Sequence, residues 1–137
     1  MSLIILRQMK KILVVDDDQY IRDVYREVLE DEKYQVELAV DGQEGLLKAQ
    51  MGGYDLILLD AMMPKIDGLG FLKELKENPA KLANGPIILL TNLAHDKVID
   101  EAMQNGAKSY LIKSDMNPDE FLQNIKKFLE PPVASRG

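Results

Sequence analysis

The feature that most constrains the fold of this chain is a series of five short apolar runs, each followed by a stretch with helical spacing. The runs span residues 11–15, 34–40, 56–59, 87–90 and 109–112. Continuous apolar runs of this length, bounded by turn residues, are typical of strands buried on both faces of a parallel sheet. The second run alternates apolar and polar residues, which predicts a strand with one less buried face. We therefore expect five strands.

Apolar residues spaced three or four positions apart lie between and after these runs and predict five amphipathic helices. We expect the stripes to face the core; they are Ile21-Val24-Tyr25-Val28-Leu29, Leu46-Leu47-Met51, Phe71-Leu72-Leu75, Val98-Ile99-Ala102-Met103 and Phe121-Leu122-Ile125-Phe128-Leu129. Strict alternation of strand and helix predicts an α/β fold with helices on both faces of a doubly wound parallel sheet. Among such folds, we expect the flavodoxin-like strand order 2-1-3-4-5.

Length and composition fit one domain and exclude several classes of site. The chain has 137 residues, a net charge of −6 and no cysteine, which excludes disulfides and cysteine nucleophiles. An acidic balance argues against direct nucleic-acid binding, which needs a basic face. No apolar run approaches the roughly 18 residues that a membrane span requires. We expect a domain over residues 10–130, an N-terminal extension over 1–9 and a C-terminal tail over 131–137.

Polar side chains follow four of the five predicted strands. The first strand runs into Asp16-Asp17-Asp18, the third into Asp60, the fourth into Thr91 and the fifth into Lys113. In an open parallel sheet, ligands bind outside the carboxyl ends of the strands, near the switch point in strand order. Because the first and third strands are neighbours in the predicted order, we expect Asp60 to face Asp16 and Asp17.

The negative charge of three carboxylates in one cleft needs to be compensated. Two carboxylates about 4 Å apart repel by roughly 4 kcal/mol at an effective dielectric near 20, so either some are protonated or a cation lies among them. Oxygen ligands without nearby His or Cys favour Mg²⁺. With Lys113 and Thr91 beside them, these groups suit phosphoryl chemistry, and Asp60 is the candidate nucleophile that would form an acyl phosphate. Asp18 is interpreted as a helix N-cap.

These motifs, in this order, resemble the response-regulator receiver domain of two-component signalling, and the resemblance covers about residues 10–130. It rests on Ile12-Leu13-Val14-Val15-Asp16-Asp17-Asp18, on Asp60 followed by Pro64, Asp67 and Gly68, on Thr91, and on Tyr110-Leu111-Ile112-Lys113. The resemblance implies that Asp60 is the phospho-acceptor, that Asp16, Asp17 and the Met62 backbone carbonyl bind Mg²⁺, that Thr91 and Lys113 sense the phosphoryl group, and that Tyr110 is a switch residue.

The resemblance also implies partners and a location. The phosphoryl donor would be a histidine kinase or a histidine phosphotransfer protein, and the output would be an altered contact with another protein, whose identity the sequence does not reveal. The chain itself would have at most self-phosphorylation and self-dephosphorylation activity. We expect a cytoplasmic protein that is a monomer or weak dimer, without direct contact to nucleic acid or membrane.

Two positions depart from the pattern of that family. Ser114 stands where a proline usually follows the lysine with a cis bond, so either the Lys113–Ser114 peptide is trans or the site stores strain. Asn92 stands where a very small residue usually follows the threonine, and we expect it to change the rate of dephosphorylation. Met62 offers no polar side chain to an attacking water, which favours a longer-lived phosphoryl group.

Other classes of function fit the sequence less well. A haloacid-dehalogenase-like phosphatase would need a second aspartate two residues after the nucleophile, where this chain has Met62. A flavodoxin would need a loop rich in Ser, Thr and Gly after the first strand, and a P-loop GTPase would need G-x-x-x-x-G-K-[ST], which does not occur. A degenerate receiver that binds partners without being phosphorylated remains the alternative.

Overall fold

The computed structural model describes residues 10–92 and 96–130. In these ranges strands and helices alternate, with a 3-10 turn over Lys113–Asp115. The strands are β1 (Lys11–Val15), β2 (Gln35–Ala39), β3 (Leu56–Asp60), β4 (Ile87–Thr91) and β5 (Ser109–Ile112). The helices are α1 (Gln19–Asp31), α2 (Gly42–Met51), α3 (Gly68–Glu77), α4 (Asp96–Gln104) and α5 (Pro118–Leu129). None of the helices in the described ranges has both the length and the apolar character that crossing a bilayer requires.

The five strands form one parallel sheet in the order β2-β1-β3-β4-β5, which confirms the predicted topology. Its register pairs Val15 with Leu59 and Asp60 with Leu90 across adjacent strands. The central strands β3 and β4 are buried along their whole length, whereas edge strand β2 is buried only at its last residue. The partial burial of β2 agrees with the alternation of apolar and polar residues in its sequence.

Two apolar cores lie on opposite faces of the sheet, because successive side chains of a strand point to opposite sides. One core joins Leu13, Ile57 and Leu59 to α2, α3 and α4. The other joins Ile12, Val14, Leu56 and Leu58 to α1 and α5. Within the second core the ring of Tyr25 stacks on that of Phe121, with centroids 4.2 Å apart.

Helix starts and stops follow the local sequence signals. The side chain of Asp18 accepts hydrogen bonds from the backbone N–H groups of Tyr20 and Ile21, which makes it the N-cap of α1 as predicted. At α5, Asn117 and Glu120 form a reciprocal capping box, with proline at the first helical position. Helix α4 ends before Gly106, whose φ of +112° suits glycine.

The prediction that every helical apolar stripe faces the core is wrong for part of α2. Leu46 is buried, but Leu47 and Met51 are 62% and 59% exposed. Gly45 and Ala49, which are buried, occupy the side of α2 that packs on the sheet. Small residues there let the helix approach β1 closely, since a Cβ on Gly45 would lie 2.5 Å from the Val15 side chain. Met103 of α4 is also partly exposed.

Candidate functional site

The carboxyl ends of β1, β3 and β4 and the turn after β5 surround a cleft of about 330 Å³. Six of the seven residues predicted for the site line this cleft: Asp16, Asp17, Asp60, Met62, Thr91 and Lys113. They meet because parallel strands end at one rim, and because β1 and β3 are direct neighbours. The strand order therefore brings residues that are far apart in the sequence into one site.

Asp16 is completely buried, and four hydrogen bonds fix it. Its backbone N–H donates to the Ala39 carbonyl at 3.2 Å, and its own carbonyl accepts from Nη1 of Arg22 at 2.8 Å. Of its carboxylate oxygens, Oδ1 accepts from the Asp18 N–H at 2.9 Å and Oδ2 from Lys113 Nζ at 2.7 Å. The charge of this buried carboxylate is thus held in one orientation.

Lys113 joins the two buried carboxylates. Its Nζ lies 2.7 Å from Asp16 Oδ2 and 3.2 Å from Asp60 Oδ1, and its side chain is only 8% exposed. Burial alone would lower the pKa of Lys113, but the hydrogen bond and charge of Asp16, together with Asp60, outweigh burial and raise it. Lys113 is therefore a cation over the whole physiological pH range.

Asp60 is buried, and its Oδ1 accepts from the Met62 N–H at 3.3 Å and lies 3.2 Å from Lys113 Nζ. Burial, and then the charge of Asp16, raise the pKa of Asp60 to about 7, although Lys113 opposes the shift. A single lysine thus does not balance the charge of two buried carboxylates, and a further cation would favour the ionised form of Asp60.

The acids are close enough to share that cation. One carboxylate oxygen from each of Asp16, Asp17 and Asp60 lies within 4.8 Å of the others. Asp17 is exposed to solvent, so water can complete a coordination shell on its side. An all-oxygen set at this spacing fits a hard divalent ion such as Mg²⁺.

Thr91 and Tyr110 differ in their relation to the cleft. Thr91 is buried at its rim, at the last position of β4. Tyr110, in contrast, does not line the cleft; it pairs with Leu89 in the sheet register and is 41% exposed. The structure therefore brings six predicted residues together and leaves Tyr110 exposed on the edge strand β5, outside the cleft.

The two unusual positions have different surroundings. Asn92 is exposed and lines the cleft directly after Thr91. Ser114 is exposed in the 3-10 turn. No peptide bond in the described ranges is cis, so the trans alternative for Lys113–Ser114 is the one found, and Lys113 still reaches both carboxylates.

Sequence reasoning missed Arg22 and two apolar residues that line the cleft, Ala61 and Val98. Arg22 of α1 hydrogen-bonds the Asp16 carbonyl, and Val98 of α4 lines the cleft. Val98 was expected only in the core because its spacing fits the apolar stripe. In the sequence Arg22 looks like any surface arginine. Its hydrogen bond to Asp16, six positions earlier, depends on the path of the loop between β1 and α1.

Comparison with known proteins agrees with this geometry. The family model described as the response regulator receiver domain matches residues 12–126. The chain belongs to this family. Among curated relatives of this receiver domain, the transcriptional regulatory protein ResD of Bacillus subtilis is 37% identical over 119 residues, which are 87% of this chain and 48% of ResD. The response regulator ArlR of Staphylococcus saprophyticus is 37% identical over 123 residues, 88% of this chain and 53% of ArlR.

Solved receiver structures share the fold. A CheY-like response regulator receiver domain from Methanospirillum hungatei superposes with a TM-score of 0.78 at 32% identity, covering 88% of this chain and 94% of that one. The response regulator TrrA of Thermotoga maritima, solved in complex with Mg²⁺ and BeF, has a TM-score of 0.74 at 39% identity, covering 88% of this chain and all of that one. The receiver domain described here spans about half the length of ResD and ArlR.

Proposed function

We propose that this receiver domain is a phosphorylation-dependent switch of a two-component phosphorelay, in which Asp60 accepts a phosphoryl group in the presence of Mg²⁺. The observation that carries the proposal is the convergence of Asp16, Asp17 and Asp60 within 4.8 Å, with Lys113 bonded to two of them. Family membership supports it, because the receiver-domain match over residues 12–126 includes all four of these residues.

The metal would be held by Asp16, Asp17, Asp60 and the backbone carbonyl of Met62. The thioether of Met62 is a soft ligand that Mg²⁺ does not favour, so only its main-chain carbonyl is a candidate ligand. A bound Mg²⁺ would neutralise charge on Asp60 and on the phosphoryl oxygens. Arg22 would act indirectly, because it holds the backbone of Asp16 rather than the metal.

In the proposed transfer, a carboxylate oxygen of Asp60 attacks the phosphorus of a phosphohistidine on the donor protein. The new O–P bond makes an acyl phosphate, the P–N bond breaks, and the histidine nitrogen leaves with the electron pair and takes up a proton. Oδ2 of Asp60 is the better placed oxygen, since the described hydrogen bonds occupy Oδ1. Lys113, a buried cation 3.2 Å from Asp60, is positioned to pair with the transferred group.

Thr91 and Lys113 form the proposed sensing pair, and Tyr110 the proposed switch residue. Moving a two-state equilibrium from 1:99 to 99:1 requires roughly 5.5 kcal/mol of differential stabilisation. Charge-assisted hydrogen bonds contribute roughly 1.5–3 kcal/mol each, so two such bonds approach that requirement. The loop after β4 and helix α4 are the proposed moving parts; residues 93–95 of that segment, including His95, lie outside the described residues.

Partners and location belong to the same proposal. The donor is a histidine kinase or histidine phosphotransfer protein, and the output is a protein contact rather than direct binding to nucleic acid or membrane. We propose a cytoplasmic monomer or weak dimer. The division into an extension over 1–9, a receiver over 10–130 and a tail over 131–137 stays a prediction, because both ends lie outside the described residues.

Intact-mass spectrometry after incubation with acetyl phosphate tests the proposal. With Mg²⁺ present, the wild-type chain should gain the mass of one phosphoryl group. The gain should vanish when EDTA replaces Mg²⁺ and when Asp60 is replaced by asparagine, which keeps the side-chain shape but removes the nucleophilic carboxylate. Circular dichroism of the Asp60→Asn variant serves as the folding control.

A wild-type chain that gains no mass under any condition, while the same batch of acetyl phosphate modifies a known receiver, contradicts the proposal. The degenerate receiver, which acts by binding alone, would then be the better description.

A further inference from the structure

The loop between β3 and α3, residues 61–67, is held from outside the site. It carries Met62, whose carbonyl is the proposed metal ligand, and its far end rests against the start of α2. Two contacts join it to that helix: the backbone of Ile66 against Gly42, and an ion pair between Lys65 and Asp41. Neither residue of the ion pair touches the cleft.

The backbone contact leaves no room for a side chain on α2. A Cβ placed on Gly42 would lie 1.8 Å from the carbonyl oxygen of Ile66. The side chain of Ile66 is partly buried against the core that α2 and α3 share. The N-terminus of α2 is thus a fixed support on which the far end of the loop rests.

The ion pair adds a second, charged point of attachment. Lys65 Nζ lies 3.0 Å from Asp41 Oδ2, while Asp41 Oδ1 caps α2 by accepting from the Glu44 N–H at 2.8 Å. Asp41 is largely shielded, and the N–H of Glu44, followed by Lys65, lowers the pKa of its carboxyl. Its orientation is therefore set by the helix cap, and Lys65, whose side chain is 60% exposed, pairs with the oxygen that does not cap the helix.

Lys65 adopts a backbone conformation that is unusual for a residue with a side chain. Its φ is +70°, in the left-handed region that favours glycine. In this conformation the chain reverses after Pro64 and directs the lysine toward Asp41. A lysine therefore stands at a position where glycine would be less strained, and its side chain forms the ion pair with Asp41.

We propose that the Asp41–Lys65 ion pair is a positioning device for the metal-binding loop. By fixing the far end of residues 61–67 on α2, it holds the main chain at Met62 in the orientation that Mg²⁺ requires, so the affinity of the site depends on two residues outside it. This inference rests on the proposed function, because it assumes that the acidic cleft binds Mg²⁺.

Isothermal titration with Mg²⁺ at fixed ionic strength tests the inference with Asp41→Asn, Lys65→Gln and the double variant. Asparagine is as good an N-cap as aspartate, so Asp41→Asn removes the ion pair while keeping the cap. Each single variant should weaken Mg²⁺ binding by roughly two- to fivefold, the range expected for one ion pair. The double variant should be no weaker than either single one. Lys65→Arg, which keeps the charge, should restore the wild-type affinity.

The Lys65→Gln variant separates loss of the ion pair from a simple long-range charge effect, because the two change Mg²⁺ affinity in opposite directions. Removing a positive charge alone should tighten the binding of a cation. Lys126→Gln removes the same charge from an ion pair with Glu32 at 3.5 Å, at the end of α1 remote from the cleft, and serves as the matched control. It should leave Mg²⁺ affinity unchanged or slightly higher.

A second readout needs no metal. In the metal-free protein, amide hydrogen exchange in residues 61–68 should speed up in Asp41→Asn and Lys65→Gln, with exchange in α5 unchanged. If both variants bind Mg²⁺ as the wild type does, or lose only thermal stability, the ion pair is not a positioning device and the inference is overturned. If the wild type itself does not bind Mg²⁺, the proposed function fails along with it.

Discussion

At the scale of single residues, Asp60 lies in an environment far from that of an ordinary exposed aspartate. Its strand carries it from an apolar core to the rim of a cleft, where burial and Asp16 raise its pKa to about 7. Lys113 compensates only part of the negative charge. The same arrangement that would recruit a cation therefore leaves the metal-free site unstable when Asp60 is ionised.

This charge imbalance predicts a pH dependence of stability in EDTA. The pKa of Asp60 is raised to about 7 in the folded chain, whereas an unfolded aspartate titrates near 3.9. Between these values the folded state holds a proton that the unfolded state lacks, so the stabilisation is fully present at low pH and is lost as pH rises through about 7. Near the middle of this range the slope approaches roughly 1.4 kcal/mol per pH unit.

Urea unfolding at pH 5 and pH 8 checks this expectation. The wild type should lose more free energy of unfolding between the two pH values than Asp60→Asn, which has no carboxyl to titrate at that position. Parallel changes in the two proteins would show that Asp60 titrates normally.

Asn92 is the residue for which a kinetic effect is predicted. Its side chain lies exposed at the cleft directly after Thr91, and we predict that it restricts the approach of water to a phosphoryl group on Asp60. Asn92→Ala should shorten the half-life of the acyl phosphate by about two- to tenfold, the effect of a barrier change of roughly 0.4–1.4 kcal/mol. Half-lives are followed by intact mass after removal of the donor, with Ser114→Ala as a control, and equal half-lives for Asn92→Ala and wild type would refute the effect.

At the scale of elements, the sequence predicted each strand to within one residue at either end. Four of them have a continuous apolar segment with a polar residue at one end, so their limits are sharp. The α2 helix was less predictable, because Leu46, Leu47 and Met51 have helical spacing but α2 is seated through Gly42, Gly45 and Ala49. Small buried residues give no hydrophobic signal, and this is why Leu47 and Met51 were assigned to the wrong face.

The orientation of α2 gives a prediction about two adjacent leucines. Leu46→Ala should lower the free energy of unfolding by roughly 2–5 kcal/mol, because it leaves a cavity in the core. Leu47→Ala should change it by no more than about 0.5 kcal/mol, since Leu47 is 62% exposed. Urea unfolding of the two variants is the measurement, and equal losses would place both leucines in the core.

Some residues of the candidate site could also be predicted from the sequence, and others could not. Asp16, Asp17, Asp60, Thr91 and Lys113 could be predicted because strand order alone brings strand ends together. Arg22 and the Asp41–Lys65 ion pair could not, because each depends on the path of a loop after it leaves a strand. Such contacts need coordinates rather than periodicity.

At the scale of the whole molecule, the proposed metal site couples to folding. The acids that would hold Mg²⁺ come from the ends of β1 and β3, so the site exists only in the folded chain. At a Mg²⁺ concentration of about 100 times the dissociation constant, binding should stabilise the fold by roughly 2.7 kcal/mol.

Thermal unfolding with and without Mg²⁺ measures this coupling. The midpoint of the wild type should rise with Mg²⁺ concentration, and the rise should be largely lost in Asp17→Asn. Asp31→Asn removes the same charge at the far end of α1 and should respond as the wild type does. An equal rise in all three proteins would indicate non-specific ionic stabilisation.

The central claim is that the chain directs one phosphoryl group to one carboxylate, and borohydride reduction tests it most directly. Hydride converts an aspartyl phosphate to homoserine and leaves free carboxylates unchanged, so peptide sequencing by mass spectrometry locates the modified residue. After incubation with acetyl phosphate and Mg²⁺, we predict homoserine at position 60 alone. Homoserine at position 16 or 17 instead, or at no aspartate in a chain that has gained phosphoryl mass, would contradict the account.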